Sequence, residues 1–277
     1  MFEWNKQPQI FMKQPSIKTP ISYYGGKQKL VSKILPIIPE HKIYAETFAG
    51  GLAVFFGKPG SEIEVLNDTN KELINFYSIL QNRYGELKKR VQATLHSRSL
   101  HKDAKVVYSN PHLFDDVTRA WSVWILACQS YCSKLDGAWG FGRSDNKVTK
   151  TISNKRDQFN ELLCARLENV QIESCDALKI IERYDSPETF FYCDPPYFNS
   201  DCGHYNGYSE QDFENLLKML AKIKGKFLLS SYPSDVLQRY VKKYGWKWRC
   251  YESGVTVNAK GGYLKRKWEM MTANYEI

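Results

Sequence analysis

The sequence predicts an α/β fold, in which a mainly parallel β-sheet is covered by helices on both faces and a helical insertion follows the second strand. Three observations support this. Short β-rich runs alternate with amphipathic stretches, which is typical of parallel sheets built from strand–helix units. Between residues 77 and 157 helical periodicity replaces that alternation. The same section carries most of the net charge.

The strands are expected where β-branched and aromatic residues form short runs bounded by turn residues. In chain order these runs lie near Ile43 to Phe48, Glu62 to Leu66, Val170 to Glu173, Thr189 to Cys193, Lys226 to Ser230, Trp246 to Glu252 and Lys267 to Ala273. Amphipathic helices are expected near Lys27 to Leu35, Lys71 to Arg83, Asp176 to Arg183, Ser209 to Lys222 and Ser234 to Lys243. The clearest helical period inside the insertion runs from Val117 to Cys132.

The charge is concentrated in one part of the chain. The 277 residues carry a net charge of +9, and residues 77–157 hold 14 Lys plus Arg against 7 Asp plus Glu, so +7 of it lies there. Concentrated cations favour a polyanionic partner such as nucleic acid. A section of this length is too long for a loop. We therefore expect one domain from residues 1–76 and 158–277, and a second, inserted domain from residues 77–157.

The composition excludes several classes of protein. With 43% hydrophobic and 14% aromatic residues, the chain can bury a core and is not disordered. Apolar runs stay well short of the roughly 20 residues that span a bilayer, and the opening residues lack the order of a secretion signal. A cytoplasmic protein without a membrane segment is expected. The seven cysteines form no C-x-x-C pair, so reduced thiols and no metal site are expected.

Two segments at the ends of neighbouring strands indicate a nucleoside-containing cofactor. Ala45 to Gly51 places paired glycines after a strand, where the backbone can turn tightly and approach a ligand. Asp68 follows the next strand, 17 residues after Gly51, close to the spacing at which an acid meets ribose hydroxyls. A glycine turn and an N-capping acid would explain each segment singly. Their register on consecutive strands favours the cofactor.

The most specific motif is Asp194-Pro195-Pro196-Tyr197, directly after the apolar run that ends at Cys193. Two prolines remove backbone N–H groups and fix φ, so the turn is rigid and its carbonyls lack internal partners. A carboxylate beside such a carbonyl presents two acceptors, which suit an amino group with two hydrogens. A proline-terminated strand with a capping Asp is the alternative, but it does not explain the terminal aromatic residue.

The tetrapeptide Asp194 to Tyr197 resembles the catalytic motif of S-adenosylmethionine-dependent DNA amino-methyltransferases, and other segments resemble the Dam-like (D12 class) adenine-N6 group. Tyr23 to Lys27 is similar to the family's aromatic-x-Gly-Gly-Lys segment, with Tyr23 and Lys27 at positions that contact the cofactor. The resemblance implies a Rossmann-like methyltransferase fold with a helical target-recognition insertion. The catalytic residues that it implies are Asp194, Pro195, Pro196 and Tyr197.

The resemblance also implies the remaining cofactor residues. Glu46 to Gly51 resembles the methionine-binding loop, Asp68 stands where the family has its ribose-binding acid, and Ser174 to Asp176 resembles the segment beside the cofactor adenine. Besides Tyr23 and Lys27, the implied cofactor-binding residues are Glu46, Phe48, Gly50, Asp68, Asp176 and Asp194. S-adenosylmethionine would be the methyl donor, with no metal required.

The implied substrate is double-stranded DNA, with the target adenine flipped out of the helix. Tyr197 is expected to stack on that base, while Tyr205 and Tyr208 either line the pocket or are ordinary loop residues. Gln129, Lys134 and Arg143 in the insertion are candidates for base contact. The insertion lacks the Asn-Arg-x-Gly-x-Asn-Gly pattern of GATC-specific members, so no target sequence is implied.

Several alternatives stay open. A cytosine-N4 methyltransferase would act on a similar amino group, although those enzymes more often have Ser at the position of Asp194. RNA or a protein amide as acceptor fits the order of segments less well. A catalytically inactive nucleic-acid-binding protein would have no reason to keep Lys27, Asp68 and Asp194. The expected enzyme acts on DNA as a monomer, with a restriction endonuclease as a partner to consider.

Overall fold

The computed structural model describes residues 17–142, 145–199, 207–253 and 267–277, and its centre is a seven-stranded sheet. The sheet order is β3-β2-β1-β4-β5-β7-β6, and all pairs are parallel except those that β7 makes. The strands are β1 (Ile43–Glu46), β2 (Ile63–Asn67), β3 (Val170–Glu173), β4 (Thr189–Cys193), β5 (Lys226–Ser231), β6 (Lys247–Ser253) and β7 (Lys267–Ala273). All seven expected strands are confirmed.

The central strand β4 explains why the sheet is covered on both sides. Its side chains alternate between two hydrophobic clusters: Phe190 and Tyr192 belong to one, Phe191 and Cys193 to the other. All four residues are at most 1% exposed. A continuous apolar run is what a parallel strand needs when both of its faces are buried.

Eleven α-helices lie in the described residues, and the expected amphipathic stretches are among them. Side chains of Asn70, Asp115 and Ser209 cap three of the helices at their first turns, which satisfies N–H groups that the helix itself leaves unpaired. The helices are α1 (Val31–Ile34), α2 (Ala53–Gly57), α3 (Lys71–Asn82), α4 (Tyr84–Ala93), α5 (Arg98–Ser109), α6 (Asp116–Gln129), α7 (Lys147–Asp157), α8 (Glu161–Leu167), α9 (Ala177–Tyr184), α10 (Glu210–Leu220) and α11 (Asp235–Tyr244). In the part of the chain described, none of them has the length and apolar content to cross a membrane.

The helices of the insertion share a core with one face of the sheet. Helix α6 packs on α3 and α5, and its Trp124 is completely buried. Trp124, Tyr77 of α3 and Tyr44 of β1 belong to one continuous cluster. The expected boundary at Tyr77 falls inside α3, and the hydroxyl of Tyr77 donates to the Gly50 carbonyl at 2.7 Å. The division into two domains therefore stays a prediction.

The opposite face of the sheet is covered by α9, α10 and α11. Ile180, Leu217 and Leu237, one from each helix, are fully buried against Ala45 and Phe227 of the strands. The insertion and these three helices thus lie on opposite faces of the sheet. The edge formed by the carboxyl ends of the parallel strands lies between the two layers.

Candidate active site

The expected site residues converge because five parallel strands end at one edge of the sheet. Between β1 and β4 the strand order changes direction, since β2 and β3 lie to one side of β1 and β5 lies beyond β4. Open α/β sheets bind ligands at such a switch point, outside the carboxyl ends of the strands. The segments that follow β1, β2, β3 and β4 contain Gly50, Asp68, Asp176 and Asp194 respectively.

A single buried amide fixes three of these strand ends. Asn67, at the end of β2, donates from Nδ2 to the carbonyls of Thr47 and Cys175, both at 3.0 Å. Its Oδ1 accepts the backbone N–H of Cys175 at 2.9 Å. Asn67 is fully buried, so these hydrogen bonds have no competition from water. We did not single out this residue from the sequence, because only its tertiary partners distinguish it from an ordinary polar strand end.

The paired glycines make room for an aromatic ring. Gly50 has a φ of +47°, which favours glycine, and a Cβ at that position would lie 3.3 Å from the Tyr23 ring. A Cβ on Gly51 would come within 2.9 Å of the Tyr23 Cβ, closer than real contacts allow. The loop after β1 therefore requires glycine because Tyr23 packs directly against its backbone.

The acid expected at the ribose position closes this loop. Asp68 accepts the N–H of Gly50 on Oδ2 at 3.0 Å and the N–H of Asn70 on Oδ1 at 2.9 Å. Burial raises the pKa of Asp68, against the effect of these backbone donors. The backbone N–H of Thr69 also acts on this carboxylate, which still has acceptor capacity for a ligand hydroxyl because a carboxylate accepts about four hydrogen bonds. Asp176 caps α9 through the N–H of Leu178 at 2.7 Å and is otherwise exposed.

Glu46 lies behind the loop. It is 2% exposed, and the Tyr44 hydroxyl donates to its Oε2 at 2.6 Å. Burial raises the pKa of Glu46 to about 8, although Tyr44 and the backbone N–H of Phe55 oppose that change. Glu46 is thus held by Tyr44 of the same strand and by the backbone of α2, and its expected contact with a cofactor stays a prediction. Phe48 is half-buried and packs edge-on against Tyr208, with ring centroids 6.4 Å apart.

The turn after β4 has the two acceptors expected from the tetrapeptide. Oδ1 of Asp194 is 2.8 Å from the Lys27 ammonium and 3.2 Å from the Tyr197 hydroxyl oxygen. Among the described residues, none donates a hydrogen bond to Oδ2 of Asp194 or to the carbonyl of Pro195. The Asp194 side chain is 18% exposed. One carboxylate oxygen and one carbonyl are therefore available to a ligand.

Three residues from distant parts of the chain meet at the Tyr197 hydroxyl. It donates to Oε2 of Glu269 at 2.7 Å and lies 2.8 Å from Oγ of Ser230. Glu269 is also 3.9 Å from Lys27, whose Nζ donates to the Gly25 carbonyl at 3.0 Å. The sequence did not identify Ser230 or Glu269 as site residues. They reach the site because β7 pairs with β5, which a local pattern does not reveal.

These charges shift one another's pKa. Burial opposes the charged form of Lys27, but the carboxylates of Asp194 and Glu269 more than compensate and raise its pKa. Burial also raises the pKa of Asp194, with Lys27 lowering it and Glu269 raising it. The phenol of Tyr197 has a pKa well above its usual value, because it is buried beside two carboxylates. At neutral pH the cluster therefore holds one ammonium and a neutral phenol.

The expected DNA-contacting residues have different surroundings. The expected base contact of Gln129 is wrong, because this side chain is 1% exposed. Its Oε1 accepts the Ser97 N–H and its Nε2 donates to the Leu95 carbonyl, so its amide is used inside the protein. Lys134 is half-buried, with its ammonium 5.0 Å from the Tyr24 ring centroid. Arg143 and Tyr205 lie outside the described residues. Tyr208 is half-buried beside Phe48.

A stacked group on the insertion was not expected from the sequence. The Trp139 ring stacks on His96 at 4.7 Å and on Phe141 at 5.5 Å between centroids. The Arg98 guanidinium lies 4.5 Å from the Trp139 centroid, and both Arg98 and Phe141 are exposed. Aromatic rings with a cation at the surface are a common composition for nucleic-acid contact. Only the fold brings residues 96 and 98 beside residues 139 and 141.

The chain is similar to proteins that methylate DNA. The DNA N-6-adenine-methyltransferase of Escherichia phage P1 is 28% identical over 195 residues, which cover 69% of this chain and 25% of that protein. The type II methyltransferase M.CviBI of Paramecium bursaria Chlorella virus NC1A is 25% identical, covering 87% of this chain and 96% of that one. The type II methyltransferase M.MjaIII of Methanocaldococcus jannaschii is also 25% identical, and the match covers 94% of this chain and 99% of that protein.

The relatives differ in length. The chain spans 25%, 30% and 33% of the phage P1 enzyme, of M.FokI from Planomicrobium okeanokoites and of StsI from Streptococcus sanguinis, respectively. The family model described as D12 class N6 adenine-specific DNA methyltransferase matches residues 23–249. Because this match runs from the Tyr23 turn past the last helix, the chain belongs to the D12 class N6 adenine-specific DNA methyltransferase family.

Proposed function

We propose that this protein transfers a methyl group from S-adenosylmethionine to the N6 amino group of an adenine flipped out of double-stranded DNA. The observation that supports this most directly is the pair of acceptors after β4. Oδ2 of Asp194 and the Pro195 carbonyl accept nothing from the described residues, and they follow one another in a rigid turn. An amino group with two hydrogens matches them.

The residues at the strand ends fit S-adenosylmethionine. Its adenosine has ribose hydroxyls that suit the remaining lone pairs of Asp68, and its positive charge suits an edge that carries Asp68, Asp176 and Asp194. When bound, it supplies the methyl group as an activated sulfonium. Tyr23, Lys27, Phe48 and Gly50 complete the proposed cofactor site, and Glu46 lies behind the loop after β1.

Asp194 and Pro195 would activate the target nitrogen. The lone pair of an exocyclic amino group is delocalised into the ring, so the nitrogen is a poor nucleophile. If Asp194 and the Pro195 carbonyl each accept one hydrogen, the nitrogen is drawn towards tetrahedral geometry, and its lone pair is withdrawn from the ring π system and localised on nitrogen. The same acceptors would stabilise the positive charge that develops on nitrogen as its bond to the methyl group forms and the methyl–sulfur bond breaks, and they do so without reorganising. The methylated nitrogen then has to lose one of its two hydrogens as a proton, for which Asp194 is the nearest carboxylate.

The flipped base also needs an aromatic contact. Tyr197 is our candidate, and its hydroxyl is held by Glu269 and Ser230, which fixes the ring before any base arrives. Ring contacts are already present with Tyr232, at 4.4 Å between centroids. Tyr208, beside Phe48, is a candidate for the wall of the same pocket.

The insertion would supply most of the DNA affinity. Its basic residues would neutralise phosphates, which fixes the register of the protein on the duplex. Lys134 and the stacked group of His96, Arg98, Trp139 and Phe141 are the described residues that we assign to this surface. Gln129 is not part of the proposal, since its amide is fully used inside the protein.

Transfer of labelled methyl from S-adenosylmethionine to unmethylated DNA, followed by nucleoside analysis, tests the proposal. N6-methyladenine is the expected product. If folded protein that binds the cofactor yields only N4-methylcytosine, the amino-methyltransferase assignment stands and adenine is wrong. If neither base is methylated across varied DNA, the proposed activity is wrong.

Asp194→Ala tests the assigned mechanism. It removes one acceptor and the negative charge beside the reacting nitrogen, so we expect methyl transfer to fall by about 100-fold or more. DNA affinity should change little, because only one contact to the flipped base is lost and the proposed phosphate contacts of the insertion are kept. Asp235→Ala, which removes an exposed acid at the start of α11, is the matched control. Normal turnover by the Asp194 variant would contradict the mechanism.

A further inference from the structure

We infer that Glu269 is the counter-charge of Lys27, and that it keeps the Asp194 carboxylate electrically uncompensated where the target amino group gains positive charge. This rests on the proposed function, because it assumes an amino group as the acceptor. Glu269 lies outside residues 23–249, the segment that the family model matches. It touches no reacting atom and is therefore a positioning residue.

The charges around Lys27 explain why a second carboxylate is needed. The Lys27 ammonium is 2.8 Å from Oδ1 of Asp194, and a pair of this kind is electrically neutral. A neutral pair would offer a developing cation far less stabilisation than a free carboxylate does. With Glu269 at 3.9 Å from the same ammonium, the three groups carry a net charge of −1. The excess negative charge then remains available to the reacting nitrogen.

Burial makes these interactions strong. The side chains of Lys27, Asp194 and Glu269 are 6%, 18% and 12% exposed. Charges at such positions are screened much less by water and salt than charges at the surface. Glu269 thus acts on Asp194 through Lys27 and also directly, since its charge raises the pKa of Asp194.

Glu269 also draws the Tyr197 hydroxyl away from Asp194. This hydroxyl has one hydrogen to donate, and it is 2.7 Å from Oε2 of Glu269 but 3.2 Å from Oδ1 of Asp194. The hydroxyl of Ser230, 2.8 Å away, can donate to the Tyr197 oxygen in return. Tyr197 is therefore satisfied by Glu269 and Ser230, and Asp194 keeps its acceptor capacity for substrate.

A purely structural role for Glu269 is the alternative, in which it ties the start of β7 to β5 through Ser230. The two roles differ in one measurable respect. Removing the charge of Glu269 should change the pKa of Asp194 only if Glu269 acts as the counter-charge. Loss of a strand contact would lower stability and activity without moving the pH at which Asp194 titrates.

The test compares Glu269→Gln with wild type. The amide removes the charge but keeps an oxygen for the Tyr197 hydroxyl. We expect kcat to fall about tenfold with KM for DNA and cofactor within about twofold, and the acid limb of the kcat profile to move about one pH unit lower. Ser230→Ala, which changes no charge, should leave that limb in place. Glu276→Gln, an exposed carboxyl paired with Lys247, is the matched control.

A second readout does not depend on turnover. With ¹³C-labelled aspartate carboxyls, and Asp194 assigned from its loss in Asp194→Asn, the Asp194 resonance of the ligand-free protein should titrate about one unit lower in Glu269→Gln. Glu269→Asp, which retains the charge, should keep the wild-type titration if the amide variant does not fold. An unchanged titration with unchanged kcat would overturn the inference even if the wild type methylates adenine. A wild type without methyl transfer would defeat the proposed function, and the titration would still report the coupling.

Discussion

Glu46 is a buried carboxyl that makes the stability of this protein depend on pH. Its folded-state pKa is about 8, against 4.5 for an ordinary glutamic acid, mainly because it is buried. The folded protein therefore binds this proton more tightly than the unfolded chain does. The contribution is fully present below the unfolded pKa near 4.5, and it is lost as the pH rises towards 8.

Glu46→Gln should remove this dependence. The amide mimics the protonated acid and still accepts the Tyr44 hydroxyl. We expect the unfolding free energy of the wild type to fall by on the order of 4 kcal/mol between pH 5 and 8 relative to the variant. Urea unfolding at several pH values measures it. Glu62→Gln, at an exposed position before β2, is the control, and its unfolding free energy should vary with pH as that of the wild type does. If the unfolding free energy of Glu46→Gln also varies with pH as the wild type does, the prediction is wrong.

At the scale of single residues, the sequence identifies acids that end strands but not their partners. Asp68 and Asp194 were predictable as acids at strand ends, because Asp194 directly follows an apolar run and Asp68 comes one residue after Val65-Leu66. Glu269 was not, because its partner Tyr197 is 72 positions away and the contact depends on the register of β7. Gln129 was misinterpreted for a related reason. A glutamine at a helix end is typical of a surface, and only the backbone of Leu95 and Ser97 makes it an interior residue.

At the scale of elements, the loop after β1 packs against Tyr23 in addition to forming part of the proposed cofactor site. Its backbone lies so close to Tyr23 that a Cβ on Gly51 would be 2.9 Å from the Tyr23 Cβ. The sequence predicted the turn from its glycines. It could not predict that an aromatic ring from the preceding segment fills the space, because that contact depends on how the segment before α1 crosses the sheet edge.

Gly51→Ala should therefore displace Tyr23 and distort the loop. We expect the melting temperature to fall by several degrees and the affinity for S-adenosylmethionine to fall about tenfold, as measured by calorimetry. Gly60→Ala is the matched control, because a Cβ there would meet nothing within 4 Å. Equal affinities of the two variants would show that Tyr23 adapts without cost.

The strands themselves were largely predictable, and the reason is local. Val170–Glu173, Thr189–Cys193 and Lys267–Ala273 have the same bounds in the structure as in the sequence-based expectation. Thr189–Cys193 is a compact apolar run, Val170–Glu173 alternates apolar and polar residues, and a turn-forming residue follows each of the three strands. The order of the strands was not predicted, since nothing in a run such as Lys267–Ala273 indicates that it pairs with both β5 and β6.

At the scale of the whole molecule, the insertion and the sheet are joined by one hydrophobic cluster. Trp124 of α6 belongs to it and is fully buried, although it lies in the middle of the expected DNA-binding insertion. Loss of packing in α6 should thus reach the proposed cofactor site through α3, whose Tyr77 hydroxyl donates to the Gly50 carbonyl.

Trp124→Ala should destabilise both parts together. Removing a buried tryptophan costs about 3–5 kcal/mol, so circular dichroism and cofactor binding should both be lost in one transition at a lower temperature. Trp248→Ala, at a position 53% exposed, should change the transition little. Two separate transitions in the Trp124 variant would mean that the insertion unfolds on its own.

The two faces of the molecule should respond differently to DNA. Arg98→Ala removes an exposed cation from the stacked group on the insertion, whereas Arg239→Ala removes one from α11 on the opposite face. We expect Arg98→Ala to weaken DNA binding and to reduce the slope of log affinity against log salt by about one. Fluorescence anisotropy from low to moderate salt measures both. A reduced slope for Arg239→Ala instead would place DNA on the other face.

The position of β7 in the sheet determines when the proposed site can be completed during synthesis of the chain. Among the strands of the described residues β7 comes latest in the sequence, yet it lies between β5 and β6. A nascent chain that has emerged only as far as β6 already contains the glycine loop, Lys27 and Asp194, but it has no strand to join β6 to the sheet and no Glu269. The residues of the proposed cofactor and target site therefore leave the ribosome before Glu269 does, and the proposed counter-charge joins them only when β7 has inserted between β5 and β6.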